Sequence, residues 1–288
     1  MASSKRRSRR RAQRGSPPAT GEVAIREIAI NSLGEFVDKV TPETPDTVTG
    51  RRRDTGVYRG ASDARAPLLT SLDRLGGVDP PHTKADLEEH ILRNYIRYSR
   101  PHVHAAPSTD WEDLFSAQHH GVPTRLFDWT YSPLVAAFFA TRPCDGGERA
   151  RAVWRLDWQR VHRTFRFPSL AMLPRDLDAL FEPGGHASPW QLFTRDRHAR
   201  PFACLVEPPS LDSRIVAQAA VFTICSDKWS AFDEFLRTHG LGDALTRFVI
   251  PAESVASIRD QLDLVGVDER RLFPDLDGVA AAIRRYYA

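Results

Sequence analysis

The hydrophobic pattern of this chain alternates between helical and strand periods, and its sharpest stretch lies near the middle. Thr109 and Glu112 have capping spacing, and behind them Trp111, Leu114, Phe115 and Gln118 fall on one helical face. Gly121 is suited to the left-handed turn that ends a helix, and Pro123 prevents the helix from resuming, so Thr124 to Asp128 reads as a strand. Ser132-Pro133 then opens a helix whose next seven residues, Leu134 to Ala140, are all apolar. Such a helix is buried on every side.

Elsewhere, Ser32 and Glu35 introduce a short amphipathic helix carrying Phe36, Val37 and Val40, and Gly56 to Gly60 reads as a brief strand. Thr83 and Asp86 introduce a helix with Leu87, Ile91, Leu92, Tyr95 and Ile96 at helical spacing. Arg151 to Trp158 alternates Ala152, Trp154, Leu156 and Trp158 against polar positions, which is strand periodicity. Shorter strands are predicted at Phe202 to Val206, Ile215 to Gln218, Val221 to Ile224 and Phe248 to Ile250. Helices are predicted at Ser230 to His239, Glu253 to Leu264 and Asp277 to Tyr286. Pro168 to Pro189, rich in Pro and Gly, reads as a long loop or insertion. Strands and helices mix without a regular βαβ alternation, which favours α+β.

Composition narrows the classes. With 288 residues, 41% of them hydrophobic, the chain can bury a full core. It has no apolar run of the roughly 18 residues that span a bilayer, and its N-terminus lacks an apolar segment after the charges. The expectation is a cytoplasmic protein without membrane contact. Cys144, Cys204 and Cys225 form no Cys-x-x-Cys pair, so neither a disulfide framework nor a cysteine zinc site is implied. The net charge of +3 hides an asymmetry, because seven Lys and Arg with no acid within residues 1–20 leave −4 for the rest. Residues 1–21 are therefore expected to be a disordered basic arm, which either touches nucleic acid weakly through charge or only solubilises the chain. Residues 22–288 would form one domain.

No phosphate loop, Gly-x-Ser-x-Gly elbow or His-Glu-x-x-His occurs. Four other features appear in order: Tyr58-Arg59-Gly60, the run from Gln118 to Ala140, Arg214-Ile215-x-x-Gln218, and Phe273-Pro274-Asp275-Leu276-Asp277-Gly278. Together they resemble the FRG domain family, named for its aromatic-Arg-Gly signature. A looser resemblance is to ADP-ribosyltransferases of the arginine-serine-glutamate type. Arg59 is similar to the Arg of their first core strand, and Trp129-Thr130-Tyr131-Ser132 leading into Ala136, Ala137, Phe138 and Phe139 is similar to their Ser/Thr strand end and helix. In the third position Gln218 stands where those enzymes carry Glu. The implied fold is a single α+β, ADP-ribosyltransferase-like domain with a small, split, mostly antiparallel sheet flanked by helices.

The resemblance implies NAD as substrate, a macromolecular acceptor as partner, and a toxin or anti-phage effector as biological role. Cleaving the nicotinamide–ribose bond passes through an oxocarbenium-like transition state and needs phosphate donors, an aromatic face for the ring, and a group that grips the ribose. Arg59 would hold phosphate, Gly60 would allow close backbone approach, and Tyr58, Trp129 or Tyr131 would stack. Gln118, Arg125 and Thr130 would complete the cofactor site, with His119, Asp128 and Gln218 as catalytic candidates. Several also have a plainer reading: Arg59 in an ion pair holding strand to helix, His119 or His120 capping a helix end, Asp128 pairing with Arg125, Trp129 in the core, Gln218 tying two strands. Two other functions stay open. One is a metal-dependent nuclease using His119, His120, Asp128 and late aspartates, although adjacent histidines diverge. The other is a non-enzymatic module that recognises a ligand or nucleic acid.

Overall fold

A strand covered on both sides needs apolar side chains on both sides, and the central strands of this chain have them. The computed structural model describes residues 23–76, 78–79, 82–102, 109–143, 148–181, 201–209, 213–227 and 230–287. The expected basic arm and Cys144 lie outside the described residues. Within them, seven strands form one sheet in the order β1-β7-β4-β2-β3-β6-β5. They are β1 Arg26–Ala29, β2 Val57–Ala61, β3 Phe127–Thr130, β4 Arg151–Leu156, β5 Ala203–Val206, β6 Ala220–Cys225 and β7 Leu245–Ile250. β1 and β7 are parallel, and all other neighbours are antiparallel.

The α+β class agrees with the pattern, but the sheet is larger than expected and is not split. A trace of division remains at its centre. β2 and β3 share the single register pair Tyr58↔Thr130, whereas β2 and β4 share five pairs and β3 and β6 share four. The two halves therefore part as a wedge just beyond Tyr58.

The helices are α1 Leu33–Val40, α2 Lys84–Ser99, α3 Asp110–His119, α4 Pro133–Thr141, α5 Trp158–Phe165, α6 Pro174–Phe181, α7 Ser213–Ala217, α8 Phe232–Thr238, α9 Val255–Leu264, α10 Glu269–Leu272 and α11 Leu276–Tyr286. Local hydrogen bonds set several starts. Ser32, Thr83, Thr109, Ser132 and Asp275 each accept a backbone N–H three residues on, satisfying one of the donors that a helix start leaves open.

Alternation along the strands sorts side chains into three cores. Val57, Trp129, Trp154 and Leu205 pack on one face with α5 and α8. On the other face, Tyr58, Val153 and Phe248 pack with α1, α4 and α9, while Cys204, Val206 and Phe222 pack with α2 and α3. α4 sits hard against β2: a Cβ at Gly60 would lie 2.3 Å from Ala136 O and 2.4 Å from Ala140 N. The close backbone approach that Gly60 permits is thus made by this helix.

Four assignments change. Ile215 to Gln218 is not a strand: Gln218 N–H donates to Arg214 O at 2.9 Å, closing a helical turn, and Ala219 at φ 45° turns the chain into β6. A short apolar run has no period by which to tell the two apart. β3 starts at Phe127 because the backbone donors before it are taken by side chains, Thr124 N–H by Ser71 Oγ and Arg125 N–H by Glu88. β4 ends at Leu156 because Asp157 accepts Arg160 N–H and caps α5. Part of the expected Pro/Gly loop is helical, as α6.

Candidate functional site

The wedge between β2 and β3 holds a cavity of about 620 Å³, within the usual range for small-molecule sites. Its walls come from β2, β3, the C-terminal ends of α3 and α4, and the turn from α7 into β6. The two helices end at the cavity for local reasons. α3 stops where Gly121 adopts φ 81°, which leaves His119 and His120 at the rim. α4 stops at Arg142, beside Pro143.

Arg59 spans the wedge. Its Nη1 donates to the backbone O of Asp128 at 2.8 Å and lies 3.4 Å from the carboxylate Oδ2, supplying from a side chain the strand pairing that is missing beyond Tyr58. On the other side of Asp128, Gln118 Nε2 donates to Oδ1 at 2.7 Å. The Gln118 amide is oriented in turn, since buried Thr124 donates its hydroxyl to Oε1 and accepts Leu126 N–H at 3.1 Å. This chain runs from a backbone amide through two buried side chains to a carboxylate that is 52% exposed. Among the described lining residues Asp128 is the only carboxylate, and it faces Arg59, Arg74, Arg142 and Arg214 in the same lining. The Arg74 guanidinium is held below its ordinary range by burial and then by the charge of Arg59. A cavity with this charge balance favours an anion.

The cavity gathers Tyr58, Arg59, Gly60, Gln118, His119, Asp128, Trp129, Thr130 and Gln218, and leaves out Arg125 and Tyr131. Arg125 Nε is bound to Glu88, a carboxylate 1% exposed and pushed up by burial against the pull of Arg125. Asp128 therefore pairs with Arg59 and not with Arg125. Tyr131 is tied to Glu207, 2.6 Å from its hydroxyl, and burial with that neighbour pushes the phenol up. Tyr58 touches the cavity, but its ring is buried against Phe36 and its hydroxyl donates to Asp54, so it is not placed to stack on a ligand. Trp129 is a core indole whose N–H donates to Thr223 Oγ1 at 2.9 Å.

Thr130 donates its hydroxyl to the Gln218 carbonyl at 2.7 Å, and Gln218 Nε2 donates to Leu272 O at 2.9 Å. Gln218 thus ties the α7–β6 turn to α10, and not strand to strand. His119 and His120 meet edge to face at 5.2 Å, and His120 stacks on Tyr95. Among the described residues no group of three His, Cys, Asp or Glu can hold a metal, so the nuclease alternative lacks a ligand set. Sequence reasoning missed Arg74, Arg142, Ser62 and Ser71 as lining residues. Arg142, the charged cap just past the apolar run Leu134–Ala140 and Thr141, was the legible signal among them.

Residues 54–147 match the FRG domain, so the chain carries an FRG domain. That segment holds β2, α2, α3, β3 and α4, while the other five strands of the same sheet lie outside it. Neither the curated proteins nor the solved structures contain a match. Among the described residues no helix is long and apolar enough to cross a membrane.

Proposed function

We propose that this FRG-domain protein binds NAD and breaks its nicotinamide–ribose bond, as an ADP-ribosyltransferase-like enzyme. One observation carries the reading: Arg59, Thr130 at the end of β3 ahead of α4, and the turn at Gln218 meet around one cationic cavity from the neighbouring strands β2, β3 and β6. The carboxylate absent from position 218 has a substitute in Asp128, on the strand between. Glu207, near the end of β5, is bound to Tyr131, and Glu253 lies before α9; neither lines the cavity.

In this reading Asp128 accepts hydrogen bonds from the ribose hydroxyls and stabilises the positive charge that develops on the sugar. Gln118 and Arg59 hold the carboxylate in place beforehand, so little reorganisation accompanies reaction. The C1′–N bond breaks with its electron pair passing to the nicotinamide ring. Water or an acceptor group then bonds to C1′ and gives up a proton, which Asp128 can take. Hydrolysis of NAD, or transfer of ADP-ribose to a macromolecular acceptor, would harm the cell in which it occurs, in keeping with a toxin or anti-phage role.

Incubating the purified full-length chain with NAD and measuring free nicotinamide tests the reading. Wild-type protein should release nicotinamide, and Asp128→Asn should lower the rate by about 100-fold or more. If NAD binds without any release, the glutamine at position 218 marks a recognition module and the enzymatic reading is wrong.

A further inference from the structure

The arginines of the cavity fall into two groups with different surroundings. Arg59 is committed to Asp128, and Arg74 Nη1 donates to Leu69 O at 2.8 Å. Arg142 and Arg214 share a different arrangement. Their guanidinium carbons lie 5.1 Å and 4.6 Å from the centroid of a single ring, Phe273. Phe273 follows α10, and its ring packs against Phe138 and Phe139 of α4 at 6.3 and 6.2 Å, so it is a fixed post.

The two centroid distances place the guanidiniums within about 10 Å of each other, near enough for one ligand to meet both. A ring face attracts a cation, and one arginine over Phe273 would be ordinary packing. A second one is not accounted for in that way. Arg142 makes no ion pair among the described residues, whereas Arg125, Arg155, Arg247 and Arg259 each hold a carboxylate. Both Arg142 and Arg214 line the cavity, and they reach it from segments more than 70 positions apart.

We propose that Arg142 and Arg214, set by Phe273, form a diphosphate-binding subsite. Adjacent phosphates present oxyanions on both sides of a bridging oxygen, which two forked guanidiniums can grip with paired hydrogen bonds. The inference rests on the proposed NAD reading only for the rest of the ligand. If that reading holds, the pyrophosphate of NAD lies at Arg142 and Arg214 and its nicotinamide-side ribose at Asp128. Arg59 is then a positioning residue for Asp128, and the phosphate role that its sequence motif implies passes to this pair.

Calorimetric titration of the full chain with inorganic pyrophosphate, ADP and ADP-ribose tests the subsite, with nicotinamide release from NAD followed in parallel. Wild-type protein should bind ADP and ADP-ribose. Arg142→Ala and Arg214→Ala should each weaken binding by about tenfold or more, with Arg142→Lys recovering only part of the loss. Arg142 is exposed, so its variant stays folded and informative even if Arg214→Ala does not. ADP-ribose binding tighter than pyrophosphate identifies a dinucleotide-type ligand; equal affinities identify a free diphosphate. Loss of ADP binding in the variants, with no nicotinamide release by wild type, keeps the subsite and removes the enzymatic reading. Unchanged affinities in folded Arg142→Ala, or no binding of any of the three by wild type, overturn the subsite whatever the NAD assay shows.

Discussion

Two arginine–carboxylate pairs flank the same stretch of chain and have opposite environments. Arg125 and Glu88 meet at 2.5 Å with side chains 11% and 1% exposed; Arg59 and Asp128 meet at 3.4 Å with side chains 19% and 52% exposed. The first pair is closed: Glu88 also accepts the Arg125 backbone N–H, and neither residue reaches the central cavity. In the second, the carboxylate is held by Gln118 on one side and by Arg59 on the other, yet remains open to the cavity. Both join a guanidinium to a carboxylate. Burial decides which pair holds the fold and which is free to meet a ligand.

The largest expected effect lies in the closed pair. Glu88→Ala leaves the Arg125 guanidinium buried without its carboxylate and should cost about 3–5 kcal/mol, seen as a lowered denaturant midpoint. An unchanged midpoint would mean that water reaches Arg125 and that the contrast between the pairs is false.

A smaller effect, readable against pH, comes from another closed group. His162 is fully buried, with Nδ1 2.8 Å from Pro168 O and Nε2 accepting Leu205 N–H at 2.8 Å, an arrangement that fits only the neutral ring. Burial holds its pKa below the ordinary 6.5. The unfolded chain therefore takes up the proton first, so stability is full above about pH 6.5 and falls as pH drops from there toward the folded pKa. His162→Gln should flatten that part of the stability profile. The same acid slope in the variant would assign it to other groups.

The smallest effect on stability belongs to the open pair. Arg59→Ala should change stability by about 1 kcal/mol or less, because Asp128 can turn to water, and the melting temperature should move by about 2–4 °C at most. A larger drop would make Arg59 a structural brace across the wedge and nothing more.

Much of this architecture was legible in local chemistry. Ser32, Thr83, Thr109, Ser132 and Asp275 start helices because a side-chain oxygen at that spacing satisfies an open backbone donor, a rule confined to a few neighbouring residues. The buried run of α4 was equally plain. What escaped depends on distant partners. Nothing near Arg125 indicates that Glu88, 37 positions earlier, will enclose it, and nothing near Tyr131 indicates Glu207. The strand at Arg26–Ala29 carries no alternation, because its edge position leaves it mostly exposed. For the site, the Gln118–Ala140 run located three of the walls, but the pairing of Arg142 with Arg214 on Phe273 joins three segments that no local pattern connects.

The central claim, that the Arg59–Asp128 wedge receives NAD, is tested most directly by calorimetric titration of NAD into full-length wild-type protein and Asp128→Asn. The account predicts one NAD bound per wild-type chain, and affinity weaker by about tenfold in a variant whose melting temperature stays within about 4 °C of wild type. Equal NAD affinity in a folded Asp128→Asn protein, or no NAD binding by wild type, would contradict it.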